Sequence, residues 1–176
     1  VSLPGAQGKR VDQLSGGRLD LGIGAGWHEP EHRMFGIPFP SLKERLDRLE
    51  CGARLIKALG EGRPITLEQP YYPLATAESY PLPARGRLPL LIGARGEKRA
   101  LGIVAEHAEE WNTTRVTFED YRVKRAALER HCNAIGRDPA TITRSLMVPV
   151  IVGRSEADTA TRRDRARASF PRLPED

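Results

Sequence analysis

Residues 89–114 read PLLIGARGEKRALGIVAEHAEEWNTT, and this stretch decides the fold. Residues 89–93 are a short apolar run closed by a glycine, which reads as a buried strand entering a tight turn. Residues 97–107 then bring Leu101, Val104 and Ala108 to one side of a helix, and residues 111–114 form a second, brief strand. Strand, helix and strand in such close succession describe two parallel strands joined by a crossover helix.

The same unit recurs on both sides. Upstream, residues 19–24 (LDLGIG) form a buried strand, and Ser41 with Glu44 makes a capping box for a helix over residues 42–59. Leu42, Leu46, Leu49, Ala53, Ile56 and Leu59 give that helix one apolar face, Gly60 stops it, and Gly52 in its middle should cost about 1 kcal/mol relative to Ala. Residues 63–87, rich in Pro and Tyr, read as an insertion with one short strand around residues 65–67. Downstream, Thr117 and Asp120 cap a helix carrying Phe118, Tyr121, Leu128, Cys132 and Ile135, ended by Gly136 and Pro139. Residues 146–152 read as a fourth strand, and Ser155 with Asp158 opens a last helix running into Pro171 and Pro174. Four strand–helix units in series predict an α/β fold with a parallel sheet. A closed eight-unit barrel takes about 250 residues, so the 176 residues present favour, on length alone, an open doubly wound sheet.

Composition narrows the class. Hydrophobic residues are 39% and charged residues 29%, the mix of a globular chain with a real core rather than a disordered one. The net charge of +5 is mild, and the Arg-rich end (Arg162, Arg163, Arg165, Arg167, Arg172) is nearly balanced by Glu156, Asp158, Asp164, Glu175 and Asp176. With aromatics at only 6% and no stacking platform, nucleic acid is not an expected partner. Cys51 and Cys132, each within a helix, rule out a disulfide framework, and no run is long and apolar enough for a membrane span or a signal core, so a reducing cytoplasmic setting is expected.

Three motifs could carry chemistry. Gly22, Gly24 and Gly26 follow a strand as in dinucleotide-binding folds, but the third glycine of that fingerprint falls on Trp27 or Glu29, so a tight turn is the simpler reading. His28-Glu29-Pro30-Glu31-His32 matches a zinc-hydrolase pattern, with two imidazoles on one helical face and Glu29 as base. Pro30 permits this only if the helix begins at His28, and a third ligand would have to come from His107, His131 or a carboxylate. The turn of residues 93–99 (GARGEKR) joins a strand to a helix start, where backbone amides and the helix dipole favour an anion. Arg95, Lys98 and Arg99 crowd that end against the dipole, which makes sense if a phosphate sits there.

Taken together, residues 14–19 (LSGGRL), 21–35 (LGIGAGWHEPEHRMF), 36–39 (GIPF), 91–99 (LIGARGEKR) and 108–112 (AEEWN) resemble the luciferase-like monooxygenase family. The likeness runs in unbroken order over most of the chain. It implies a (β/α)8 TIM barrel, against the length-based expectation, of which this chain would hold about strands four to seven and lack the N-terminal strands and the last one. It also implies reduced flavin mononucleotide (FMN) or the deazaflavin coenzyme (F-420) as cofactor, a small-molecule substrate, and pairing into a homodimer.

By that resemblance Ala25, Gly26 and Trp27 would line the cofactor, while Gly93, Ala94, Arg95, Gly96 and Arg99 would hold its phosphate, with Asn112 nearby. His28 is the candidate acid or base. Ala94 stands where the family commonly has glycine and Ala100 where it has threonine. The opening VSLPGAQGKR departs from the Ala- and Leu-rich helix that precedes LSGGR in the family, so a truncated or mis-started frame is expected there.

Overall fold

The computed structural model describes residues 4–114 and 116–169. The chain divides into two compact units, Val1–Leu146 and Met147–Asp176. The first contains α1 (Pro4–Leu14), β1 (Leu21–Gly24), α2 (Glu29–Met34), α3 (Leu42–Ala58), β2 (Ile65–Leu67), β3 (Leu74–Ala77), β4 (Leu90–Gly93), α4 (Ala100–His107), β5 (Glu110–Thr114) and α5 (Phe118–Ala134). It also holds nearly all of β6 (Thr143–Met147), whereas the second unit carries α6 (Glu156–Ser169).

β1, β4, β5 and β6 lie side by side in one sheet in that order, with β1 parallel to β4 and β4 parallel to β5. Leu90, Ile92 and Trp111 alternate onto a face covered by Leu49 and Ala53 of α3, Leu101 and Val104 of α4, and Leu128 and Cys132 of α5. Each fully buried Leu or Ile there contributes roughly 1.5–3 kcal/mol. The alternate positions, Gly22, Gly24, Leu91, Gly93, Glu110 and Asn112, are exposed or half-buried. A parallel sheet whose crossover helices pack on one face only is the wall of a (β/α)8 barrel; a doubly wound sheet would carry helices on both. The open-sheet expectation from length is thereby corrected, and the fold is a partial barrel.

Several boundaries move for identifiable reasons. The fourth strand is Thr143–Met147, not residues 146–152, because Thr143 donates its N–H to the Glu109 carbonyl (3.0 Å) and so fixes pairing upstream. Val148, Val150 and Val152, apolar enough to suggest a buried strand, are exposed. α4 starts at Ala100 rather than residue 97, because Glu97 is spent on α5: its carboxylate pairs with Lys124 (3.0 Å) and its carbonyl meets the His131 ring (2.7 Å). On α5, Phe118 and Ile135 are exposed, and the inward residues are Ala127, Leu128 and Cys132.

In α3 the apolar face is rotated slightly. Leu42 is exposed, while Cys51 and Leu55 join Leu49 and Ala53 inside. Ser41 caps the helix by accepting from the Glu44 N–H (3.2 Å), but the Glu44 carboxylate turns to Arg48 (2.8 Å), so that half of the expected box is replaced by an ion pair. Thr117 and Asp120 form the complete reciprocal box. Ser155 accepts from the Asp158 N–H, and Pro171 and Pro174 lie outside the described residues.

The insertion holds a hairpin, β2 with β3, where one strand was expected. Residues 4–14 form the helix α1. α1 is fastened by Lys9, which donates to the carbonyls of Leu59 (3.0 Å) and Ser79 (2.9 Å), and by Asp12, which accepts from the Ala84 N–H (2.8 Å).

Candidate active site

The carboxyl ends of the strands are where a barrel wall offers backbone to a ligand. Gly24 pairs with Gly93, so β1 and β4 end level with each other, and Gly93 pairs with Asn112, two residues before β5 ends at Thr114. With adjacent strands about 4.8 Å apart, the loops that follow start within about 10 Å. Gly24 and Gly93 leave a bare backbone step on the exposed face. A Cβ at Gly24 would lie 3.6 Å from the Gly93 carbonyl oxygen, and one at Gly93 would lie 3.9 Å from that of Ile23, so side chains would occupy the step without clashing.

The loop after β1 turns through Ala25 and Gly26, whose φ of +71° belongs to the left-handed region. Its conformation is pinned from two sides. Arg45 of α3 donates to the Gly26 carbonyl while lying 4.0 Å above the Phe39 ring, and the His32 ring packs against the Gly26 Cα. Trp27 is 73% exposed, with its ring 5.0 Å from that of His28.

His28 is the residue before α2, a helix whose Pro30 sits in its first turn. A short helix therefore occupies residues where a polar loop was the simpler expectation. The two histidines do not converge as ligands. His32 directs Nδ1 at the His28 carbonyl (3.1 Å) and stands edge-on to Phe39 (4.9 Å). Among the described residues no group of three or more His, Cys, Asp or Glu is placed to hold a metal ion.

The loop after β4 is held by hydrogen bonds to its own neighbours. Ala94 donates its N–H to the Asn112 carbonyl (3.0 Å), and its carbonyl accepts from Trp111 Nε1 (2.9 Å). Ala94 therefore extends the ladder, and its amide does not serve as a phosphate donor. The Trp111 ring stacks on Tyr121 of α5 at 5.7 Å, fixing the floor beneath the turn. Gly96 accepts from the Leu101 N–H (3.0 Å), and Arg95 and Lys98 are exposed.

Arg99 is engaged by protein. Its guanidinium pairs with Asp47, lies 3.2 Å from Glu50, and donates to the Lys43 carbonyl at 3.4 Å. Its hydrogen bond to Asp47 raises its pKa above the ordinary arginine value, and Lys43 followed by Arg99 lowers the Asp47 carboxyl. Asp47 and Glu50, three apart on α3, went unnoticed in the sequence because their partner lies about fifty positions away.

Asn112 belongs to a second polar group. Its Nδ2 donates to Ser145 Oγ of β6 (2.8 Å), and Ser145 donates in turn to the Glu110 carboxylate. This inner-face chain across β5 and β6 was also missed, since Ser145 lay outside the expected strand. The structure thus brings together Gly24, Ala25, Gly26, Gly93, Arg95, Gly96 and Asn112 at one rim, with Trp27 and His28 just beyond; it turns the amide of Ala94 and the charge of Arg99 to internal partners.

Known proteins share the fold that carries this rim. The family description "luciferase-like monooxygenase" matches residues 6–175. A phthiodiolone/phenolphthiodiolone dimycocerosates ketoreductase of Mycobacterium bovis is 31% identical over 148 residues, covering 82% of this chain and 38% of that protein. The chain therefore spans about two-fifths of the length of such curated relatives. Among solved structures, the coenzyme F-420-dependent tetrahydromethanopterin reductase of Methanopyrus kandleri aligns with a TM-score of 0.76 at 22% identity, over 87% of this chain and 47% of its own. EDTA monooxygenase from Chelativorans aligns at 0.77 and 17% identity, over 94% of this chain and 43% of its own. At these identities the two structures show a shared fold.

Proposed function

The chain belongs to the luciferase-like monooxygenase family, and from that premise we propose that it is part of an oxidoreductase barrel using reduced FMN or the deazaflavin coenzyme on a small organic substrate. The observation that carries the reading is the level ending of β1 and β4, with Asn112 of β5 beside Gly93, which sets the glycine step of Gly24 and Gly93 next to the basic turn. The barrel in this reading is the whole protein's, of which the present residues supply about strands four to seven. The relative and the neighbours support the choice of chemistry, since they include a ketoreductase, a deazaflavin-dependent reductase and a monooxygenase.

When bound, such a cofactor supplies either hydride transfer or activation of oxygen. The residues present supply position. Gly24 and Gly93 would leave backbone open beside the cofactor, Ala25 and Gly26 would shape the adjoining loop, and Trp27 would offer an aromatic face. The start of α4, with Arg95 and Lys98 in the turn before it, favours the anionic tail through the helix dipole and charge. Asn112 is held in one orientation by Ser145, ready to present polar atoms at the rim. His28 stands at the start of α2 on the same side of β1 and is the candidate for moving a proton.

Titration of this chain and of the complete gene product with FMN and, separately, the deazaflavin coenzyme, followed by cofactor fluorescence, tests the proposal. Saturable binding of one of them, weakened by Gly93→Val, is the expected result. No uptake of either by the complete product would refute it.

A further inference from the structure

Arg99 is a basic side chain of the turn whose position the structure fixes through ion pairs with α3. Asp47 and Glu50 of α3 grip its guanidinium, and the Lys43 carbonyl takes a further N–H. Both carboxylates are well covered, at 19% and 25% exposure, against 39% for Arg99 itself. Arg99 also directly precedes α4, and its carbonyl accepts from the Ile103 N–H (3.1 Å). Its backbone thus belongs to the turn and the first turn of α4, while its side chain belongs to α3.

We infer that Arg99 is a positioning residue: it does not neutralise a phosphate directly, but staples the turn of residues 93–99 to α3 through Asp47 and Glu50. The inference rests on the proposed cofactor reading for its ligand, though not for its geometry. Three features support it. A guanidinium presents a planar fork suited to two acceptors at once, and here both carboxylates come from one helix face, three residues apart. A phosphate at the same guanidinium would have to displace them or sit beside two negative charges. α3 also reaches the other half of the rim, since its Arg45 holds the Gly26 carbonyl. One helix therefore anchors both loops, Arg45 fixing the β1 loop and the Asp47–Glu50 pair fixing the β4 loop, so their spacing is set by the rigidity of α3.

The two roles predict opposite signs. If Arg99 touched the phosphate, Asp47→Asn would remove a competing anion and leave FMN binding unchanged or tighter. If Arg99 positions the turn, Asp47→Asn weakens FMN binding by about tenfold, Arg99→Ala does the same, and the double variant is no worse than either alone. Riboflavin, which lacks the phosphate, should lose much less in every variant. Tighter FMN binding by Asp47→Asn, or additive losses in the double variant, would overturn the inference.

Hydrogen–deuterium exchange keeps the question open to measurement even if the protein takes up neither FMN nor the deazaflavin coenzyme, a result that counts against the cofactor reading alone. Asp47→Asn and Glu50→Gln should each speed exchange of the Leu101 and Ile103 amides by about tenfold while amides in the middle of α5 stay as in the parent. Unchanged exchange at those two amides would reject the staple, and circular dichroism of both variants confirms that they are folded.

Discussion

Gly26 shows how a single residue sets the shape of the rim. Its φ of +71° suits glycine, and a Cβ there would come within 3.2 Å of the His32 ring. An L side chain in the left-handed region costs roughly 1–2 kcal/mol. Gly26→Ala should therefore lower the unfolding free energy by about that amount and weaken cofactor uptake as well, measured by urea denaturation and fluorescence titration on the same preparation. Loss of stability with unaltered uptake would separate the loop from the site. His107, at the end of α4, governs a different property. Burial pushes its imidazole below the ordinary value, Glu106 opposes this, and Lys57 and Arg54 add to it. Because the folded value lies below the unfolded one, the unfolded chain takes the proton first. Stability is then intact above about pH 6.5 and declines as the pH falls below it. Urea midpoints measured from about pH 7 down to 5 should fall more steeply for the parent than for His107→Asn; parallel curves would assign the decline to other groups. At this scale the candidate residues of the rim came from the family resemblance, and only the turn of residues 93–99 also from its own anion-favouring pattern; the occupation of Arg99 was not legible, because nothing local marks Asp47 and Glu50 as its partners.

Among the elements, α3 does most to organise the site. Its one apparent defect is Gly52, set between the buried Cys51 and Ala53. A Cβ at Gly52 would lie 3.9 Å from Tyr72 Cε2, an ordinary contact, and its backbone is helical. The glycine is not needed for space. Gly52→Ala should raise stability by about 1 kcal/mol by removing backbone freedom from the unfolded chain. Thermal unfolding checks this: a lower midpoint would mean that Tyr72 cannot accommodate the methyl group. The helices and strands themselves were largely readable, since amphipathic spacing located α3, α4 and α5, and short apolar runs located β1 and β4. The misplacement of β6 has a clear cause. Residues 146–152 are more apolar than residues 143–147, yet pairing is decided by which backbone groups β5 presents, and Pro149 has no N–H to offer. The hairpin strand β3 was missed because LATA carries little strand propensity and gains its partner only from β2.

For the whole molecule, one consequence concerns exposed apolar surface. In the first unit, Trp27, Met34, Phe35 and Ile37, on the connection from β1 to α3, and Leu42, the first residue of α3, are each more than half exposed. Apolar side chains gathered on one connection at a rim tend to be covered by another surface. Sedimentation velocity over a range of concentrations should show self-association, consistent with the homodimer that the family resemblance implies, and Phe35→Ser with Ile37→Ser should diminish it. A monomer at every concentration would contradict this. Hydrophobic period, caps and glycine punctuation act between residues close along the chain, so the run of strand–helix units could be read from the residues alone, and the ordered motifs from LSGGRL to AEEWN carried the resemblance to the family. That the helices cover a single face, that Ala94 and Arg99 are engaged internally, and that Glu110, Ser145 and Asn112 form one chain of hydrogen bonds emerged from the folded packing alone. Those facts depend on the register between strands and on which distant side chains meet, which no local pattern encodes.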